Sequence, residues 1–252
     1  MPTEAELFAE VVARPDDDEP RLALARLWGG DRERYVVSQL EGLAAARARK
    51  PRSDGLEMRD LLRGHERAWA GPISERVIDW YFVRGFPEWV VVDAASFARE
   101  WQDLVKLAPI RHLDLAHATK PETAQALFQS AGLEQLVSLS FNVTGPHFDP
   151  VDGRIVTPLL ESPRLKKLKF LDLRCTRLTV EDQGRLVGAT NLPALECVML
   201  DGLEEQMGED WDGSIQTVYP SEALAVFEAR FGKMPALHYT SRHWHPPARH
   251  EF

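Results

Sequence analysis

The stretch Leu168-Lys-Phe-Leu171-Asp-Leu173-Arg-Cys-Thr176-Arg-Leu178 reads L-x-x-L-x-L-x-x-T-x-L, and no other feature constrains the chain as tightly. Leucines two apart suit a strand: they fall on one side, and the residues between them fall on the other. The same register fits five further stretches. Their anchors are Trp89 in Phe86–Val91, Leu113 in Ile110–Leu115, Leu139 in Leu136–Phe141, Val198 in Leu195–Leu200 and Leu237 in Met234–Tyr239. With Leu171 included, successive anchors lie 24, 26, 32, 27 and 39 residues apart. Helical patterns fill the intervals at 94–107, 121–131, 155–161, 180–188 and 221–231.

This period and pattern resemble the leucine-rich repeat. Strand and helix alternating at such a period predict an α/β fold, a short right-handed leucine-rich-repeat solenoid of about six parallel strands with helices outside. The solenoid is expected over residues 76–252, closed by a C-terminal cap.

Residues 1–75 read instead as a small all-helical domain. Thr3-Glu-Ala-Glu6 is a capping box, and Leu7, Phe8, Val11 and Val12 follow at helical spacing to about Arg14. Pro15-Asp-Asp-Asp-Glu-Pro20 ends that helix and caps a second one beginning near Arg21. The three aspartates could also hold a metal, but carboxylates before a helix bind its free N–H groups and complement its dipole. Gly29-Gly30-Asp31 stops the second helix. A third carries Tyr35, Val36, Leu40 and Leu43 into the basic end Arg47-Ala-Arg-Lys50, and a fourth carries Leu56, Met58, Leu61, Leu62 and Trp69 to Gly71-Pro72.

The run Leu7-Phe-Ala-Glu-Val-Val-Ala-Arg-Pro-Asp-Asp-Asp-Glu-Pro-Arg-Leu-Ala-Leu-Ala25, then Gly30-Asp-Arg-Glu-Arg-Tyr-Val-Val-Ser-Gln-Leu40, then His65-Glu-Arg-Ala-Trp-Ala-Gly-Pro72, resembles the bacterial repeat-companion domain. That small helical domain typically precedes leucine-rich or other repeats. The segment Ala25–Gly30 is shorter than the Asp-Trp-Leu-Glu-Glu-like helix end of the family. The resemblance implies an architecture and no catalytic residues.

A formal net charge of −9 argues against a duplex nucleic-acid binder, which needs clustered Lys and Arg, and favours basic partners. Neither a basic-then-apolar leader nor an 18-residue apolar run is apparent, so no membrane association is expected and the expected compartment is the cytoplasm. Cys175 and Cys197 are the only cysteines. In the repeat register they stand roughly 16 Å apart, too far for a disulfide.

The residues between anchors define the candidate partner surface. A central column runs Val90, Asp114, Ser140, Asp172, Met199 and His238; beside it run Glu88, His112, Ser138, Phe170 and Cys197, and on the far side Val92, Ala116, Asn142, Arg174 and Asp201. We expect His112, Asp114, Ser140, Asn142, Phe170, Asp172, Arg174, Met199 and Asp201 on an open concave face that leans acidic. Two insertions, 142–153 and 201–213, leave strand ends on the same edge. The second joins Glu204, Glu205, Glu209, Asp210 and Asp212 to Met207 and Trp211, an acidic loop with an aromatic anchor, from which Glu205, Glu209, Asp210 and Trp211 join the candidate contacts.

Catalytic signatures are sparse. The chain has no G-x-G-x-x-G, P-loop, G-x-S-x-G or H-E-x-x-H pattern. Cys197 and His112 are roughly 14 Å apart at normal strand spacing, too far for a nucleophile and its base. The histidines His238, His243, His245 and His250 suggest a metal only weakly, because no fixed spacing supports them. The expected function is therefore a non-enzymatic, cofactor-free protein–protein interaction module, an adaptor or scaffold. The alternatives are an immunity or inhibitor protein that neutralises a basic toxin or enzyme, and a metal-dependent enzyme centred on Asp114, Asp172 and the terminal histidines.

Overall fold

The computed structural model describes residues 2–47, 55–116, 121–141, 151–173 and 176–200. Among these residues it is an α/β structure with eight α-helices and a six-stranded sheet ordered β1-β2-β3-β4-β6-β8. Among the described residues two compact units separate: residues 2–90 with 102–111, and residues 91–101 with 112–200. The β-hairpin and the end of the fifth helix thus belong with the N-terminal helices, beyond the expected boundary at residue 75.

In the first unit, α1 (Glu4–Ala13) opens with the expected capping box: Thr3 accepts from the Glu6 amide, and the Glu6 carboxylate accepts from the Thr3 amide at 2.7 Å. α2 (Asp18–Trp28) begins three residues before Arg21, since Asp17 caps it by accepting the Glu19 amide at 2.9 Å. α3 (Gly30–Arg47) follows at once, because Gly29 and Gly30 both take positive φ and turn the chain without a linker. α4 (Gly55–Ala70) runs into a 3₁₀ turn over Gly71–Glu75.

β1 (Asp79–Val83) and the start of β2 (Phe86–Asp93) complete the unit. Hydrogen-bonded strands joined by two residues must be antiparallel, so the pair is a hairpin. Its turn residues, Arg84 and Gly85, have φ of 51° and 83°, the signs a tight primed turn requires. The sequence reading does not include β1, since Arg-Gly is not a turn pair that announces itself. A Cβ on Gly85 would lie 2.5 Å from Val36 Cγ2, so the hairpin sits directly on α3. Leu7, Val11, Leu24, Ala25, Val36 and Phe86 form the core, with Trp28 tilted against Phe86 at 5.6 Å.

In the second unit, α5 (Ala94–Leu107) contributes its first two turns, Asp93 accepting the Ser96 amide at its start. Four strands follow, β3 (His112–Ala116), β4 (Ser138–Ser140), β6 (Phe170–Leu173) and β8 (Cys197–Leu200), each pairing parallel with the next. α6 (Pro121–Phe128), α7 (Val156–Glu161) and α8 (Val180–Gly188) connect them. A separate two-stranded ladder joins β5 (Val151–Asp152) to β7 (Thr176–Arg177).

Three connections share one hydrogen-bonded design. Each helix ends on an i+3 to i bond, from Ser130 to Leu127, Ser162 to Leu159 and Ala189 to Leu186. A second such bond follows from Leu136 to Leu133, Leu168 to Leu165 and Leu195 to Leu192. The strand anchors Leu139, Leu171 and Val198 come next, and all nine leucine or valine positions that begin these steps are buried. Adjacent connections are also stapled. The Ser162 hydroxyl donates to the Phe128 carbonyl at 2.6 Å, and the Asn191 amide donates to the Leu159 and Ser162 carbonyls at 3.1 Å.

Candidate functional site

Across β3, β4, β6 and β8 the strand register is the one read from the sequence. His112, Ser138, Phe170 and Cys197 are successive register partners, as are Asp114, Ser140, Asp172 and Met199. The expectation that this face is open is corrected: His112, Asp114, Ser140 and Asp172 are buried, at 4%, 8%, 2% and 4% exposure. Alternation decides which side of a strand a residue occupies, not whether that side is covered, and parallel sheets are usually covered on both faces. Ser138, Phe170 and Cys197, the first residues of their strands, remain half-buried side by side.

Met199 is placed here by its backbone register alone. Asn142, Arg174, Asp201, Glu205, Glu209, Asp210 and Trp211 lie outside the described residues, as do the sixth strand expected at Leu237 and the histidines from His238 onward. Among the described residues no group of three or more His, Cys, Asp or Glu could hold a metal. Nor is any described helix long and apolar enough to cross a membrane.

The rim of the half-open patch is charged. Lys169 pairs with Glu196 at 2.6 Å across adjacent strand starts. Further along the edge, Lys167 donates to Gln135 at 2.7 Å, and Arg164 pairs with Glu134. Burial pushes the Cys197 thiol above its ordinary range, and the Asp172 and Glu196 carboxylates push it the same way. The thiol is therefore protonated at neutral pH and a weak nucleophile.

A second polar cluster lies in the first unit. Arg21, fully buried, pairs with Glu88 at 2.6 Å and donates to the Pro15 carbonyl at 2.9 Å. Arg84 reaches the same two groups: it donates to the Pro15 carbonyl, and it pairs with Glu88 at 3.3 Å and with Asp18 at 3.2 Å. Arg111 pairs with Asp16. The aspartates of the Pro-Asp-Asp-Asp run are thus divided: Asp17 caps α2, while Asp16 and Asp18 each meet an arginine from another segment. Burial lowers the Arg21 guanidinium to about 10, Glu88 opposing the shift while Arg84 adds to it. Burial likewise pushes the Glu88 carboxyl up, against Arg21, Arg84 and Arg111. The repeat register puts Glu88 in an open column, yet one signal in the sequence marks it as different: it is the lone ionisable residue in the run Phe86–Val92.

The chain matches no protein-family model, no curated protein and no solved structure.

Proposed function

We propose that this chain is a non-enzymatic protein-interaction module, a leucine-rich-repeat solenoid carried behind a helical domain of the repeat-companion type. The observation that carries this reading is the register of the half-open patch: three neighbouring strands bring Ser138, Phe170 and Cys197 to one level. A rigid row on stacked strands is the usual way repeat proteins meet a partner. Phe170 supplies an aromatic anchor of the kind that dominates interface energies, and Lys169 and Glu196 supply the polar rim. The repeated hydrogen bonds at 127–136, 159–168 and 186–195 support the repeat assignment, because one local design recurs in successive connections.

The acidic balance of the whole chain gives the partner a preferred sign. The formal net charge of −9 favours basic residues opposite the patch.

The test is capture of a partner by intact protein and by Phe170→Glu, with circular dichroism to show that the variant is folded. One stoichiometric partner held by the parent and lost by folded Phe170→Glu supports the patch. A partner retained at undiminished affinity would overturn it.

A further inference from the structure

The arginine cluster around Glu88 has an uneven charge balance. Glu88 is the one carboxylate inside it, with side-chain exposure of 1%, against Arg21 at 0%, Arg84 at 9% and Arg111 at 12%. The two other acids stand in water, Asp18 at 46% exposure and Asp16 at 72%. Their attraction for the arginines is weakened accordingly, since exposed ion pairs are screened and contribute little. The interior therefore holds three guanidiniums against one carboxylate.

The donors show the same excess. Arg21 Nε and Arg111 Nε are buried without an acceptor. Water could accept from them, but water cannot supply the missing negative charge. Guanidiniums that converge, present N–H donors and repel one another fit a tetrahedral oxyanion, whose oxygens accept several such donors at once. The Arg84 guanidinium lies over the Pro15–Asp18 turn, donating to the Pro15 carbonyl and pairing with Asp18 at 3.2 Å.

We propose that Arg84 and Arg111, backed by the buried Arg21, form a binding site for an oxyanion of the phosphate class, occupied in the resting protein by the carboxylates of Asp16 and Asp18. An incoming phosphate displaces these two exposed acids from the rim guanidiniums Arg84 and Arg111 and neutralises the cluster. Arg21 and Glu88 stay paired beneath it. The Pro-Asp-Asp-Asp turn then acts as a built-in competitor, so affinity in the native chain is modest, on the order of millimolar. Free phosphate and a phosphorylated side chain share this chemistry.

The experiment follows the arginine Nε–H signals of the full chain by NMR. Inorganic phosphate and N-acetyl-phosphoserine amide are titrated separately, each against sodium chloride of equal ionic strength. Saturable shifts in either phosphate arm and not in chloride are expected. Half-saturation should fall about tenfold in Asp16→Asn/Asp18→Asn, which removes the competitor and about 1.4 kcal/mol of competition. The shifts should vanish in Arg111→Gln, whose substituted side chain lies at the rim. Shifts with phosphoserine alone would identify a phosphorylated side chain as the source, and shifts with both would identify the oxyanion itself. An unchanged response in Arg111→Gln, or no phosphate-specific response in the double asparagine variant, would overturn the site.

Discussion

Arg21 Nη1 stands 2.6 Å from Glu88 Oε1, and neither side chain retains appreciable contact with water. Such a pair gains little over an apolar pair of the same size, but losing one partner strands the other charge in the interior. Glu88→Ala should therefore destabilise the first unit by about 3–5 kcal/mol. Arg21→Met with Glu88→Met should cost less than the sum of the two single changes. Urea unfolding of the parent, Arg21→Met, Glu88→Met and the double variant measures the coupling, and additive losses would show that the pair does not act as a unit.

Gly85 makes a second, sharper demand on the same hairpin. Its φ is 83°, and an added Cβ would meet Val36 Cγ2 at 2.5 Å and Val36 Cα at 3.0 Å. Gly85→Ala combines a left-handed alanine, about 1–2 kcal/mol, with overpacking, about 1–3 kcal/mol. Trimming the side chain with Val36→Ala should recover only part of that loss, because the crowding against the α3 backbone and the strain of the turn remain. Full recovery in denaturant titrations would mean that the methyl clash alone matters.

The strand register was legible in the sequence because the leucine anchors repeat, and Leu113, Leu139, Leu171 and Val198 are indeed consecutive partners. The helices at Ala94–Leu107 and Val180–Gly188 were legible for the same reason, apolar spacing at helical period. What the pattern could not reveal is coverage. Asp114 and Asp172 alternate with leucines as solvent-facing residues do, yet they are buried. Long-range pairs were equally hidden: nothing local to Glu88 announces Arg21, which is 67 positions earlier. The hairpin β1 escaped because its turn relies on an arginine at positive φ, where sequence reasoning looks for Asn or Gly.

Asn191 links two successive connections through one amide nitrogen that donates to Leu159 O and Ser162 O, each at 3.1 Å. Asn191→Ala leaves both carbonyls without this donor and should cost about 1–3 kcal/mol. The loss should concentrate where the link acts. Hydrogen exchange should quicken at the Ser162 and Ala189 amides, which close the ends of α7 and α8, before it quickens in β6. Uniform acceleration across the unit would instead mean that the staple contributes global stability only.

Cys197 gives a pH-dependent readout of the buried acid row. Its thiol is raised first by burial and then by the Asp172 and Glu196 carboxylates, all of which disfavour the thiolate. The alkylation rate of Cys197 in a Cys175→Ser background should therefore reach half its maximum above pH 9.0, the ordinary value for this thiol. Removing the Asp172 charge favours the thiolate, so Asp172→Asn should move the midpoint to lower pH and speed alkylation near pH 8. Asparagine is the right replacement, since arginine at a buried position would unfold the site and confuse charge with packing. A midpoint that does not move would place the Asp172 carboxylate too far from the thiol to act on it.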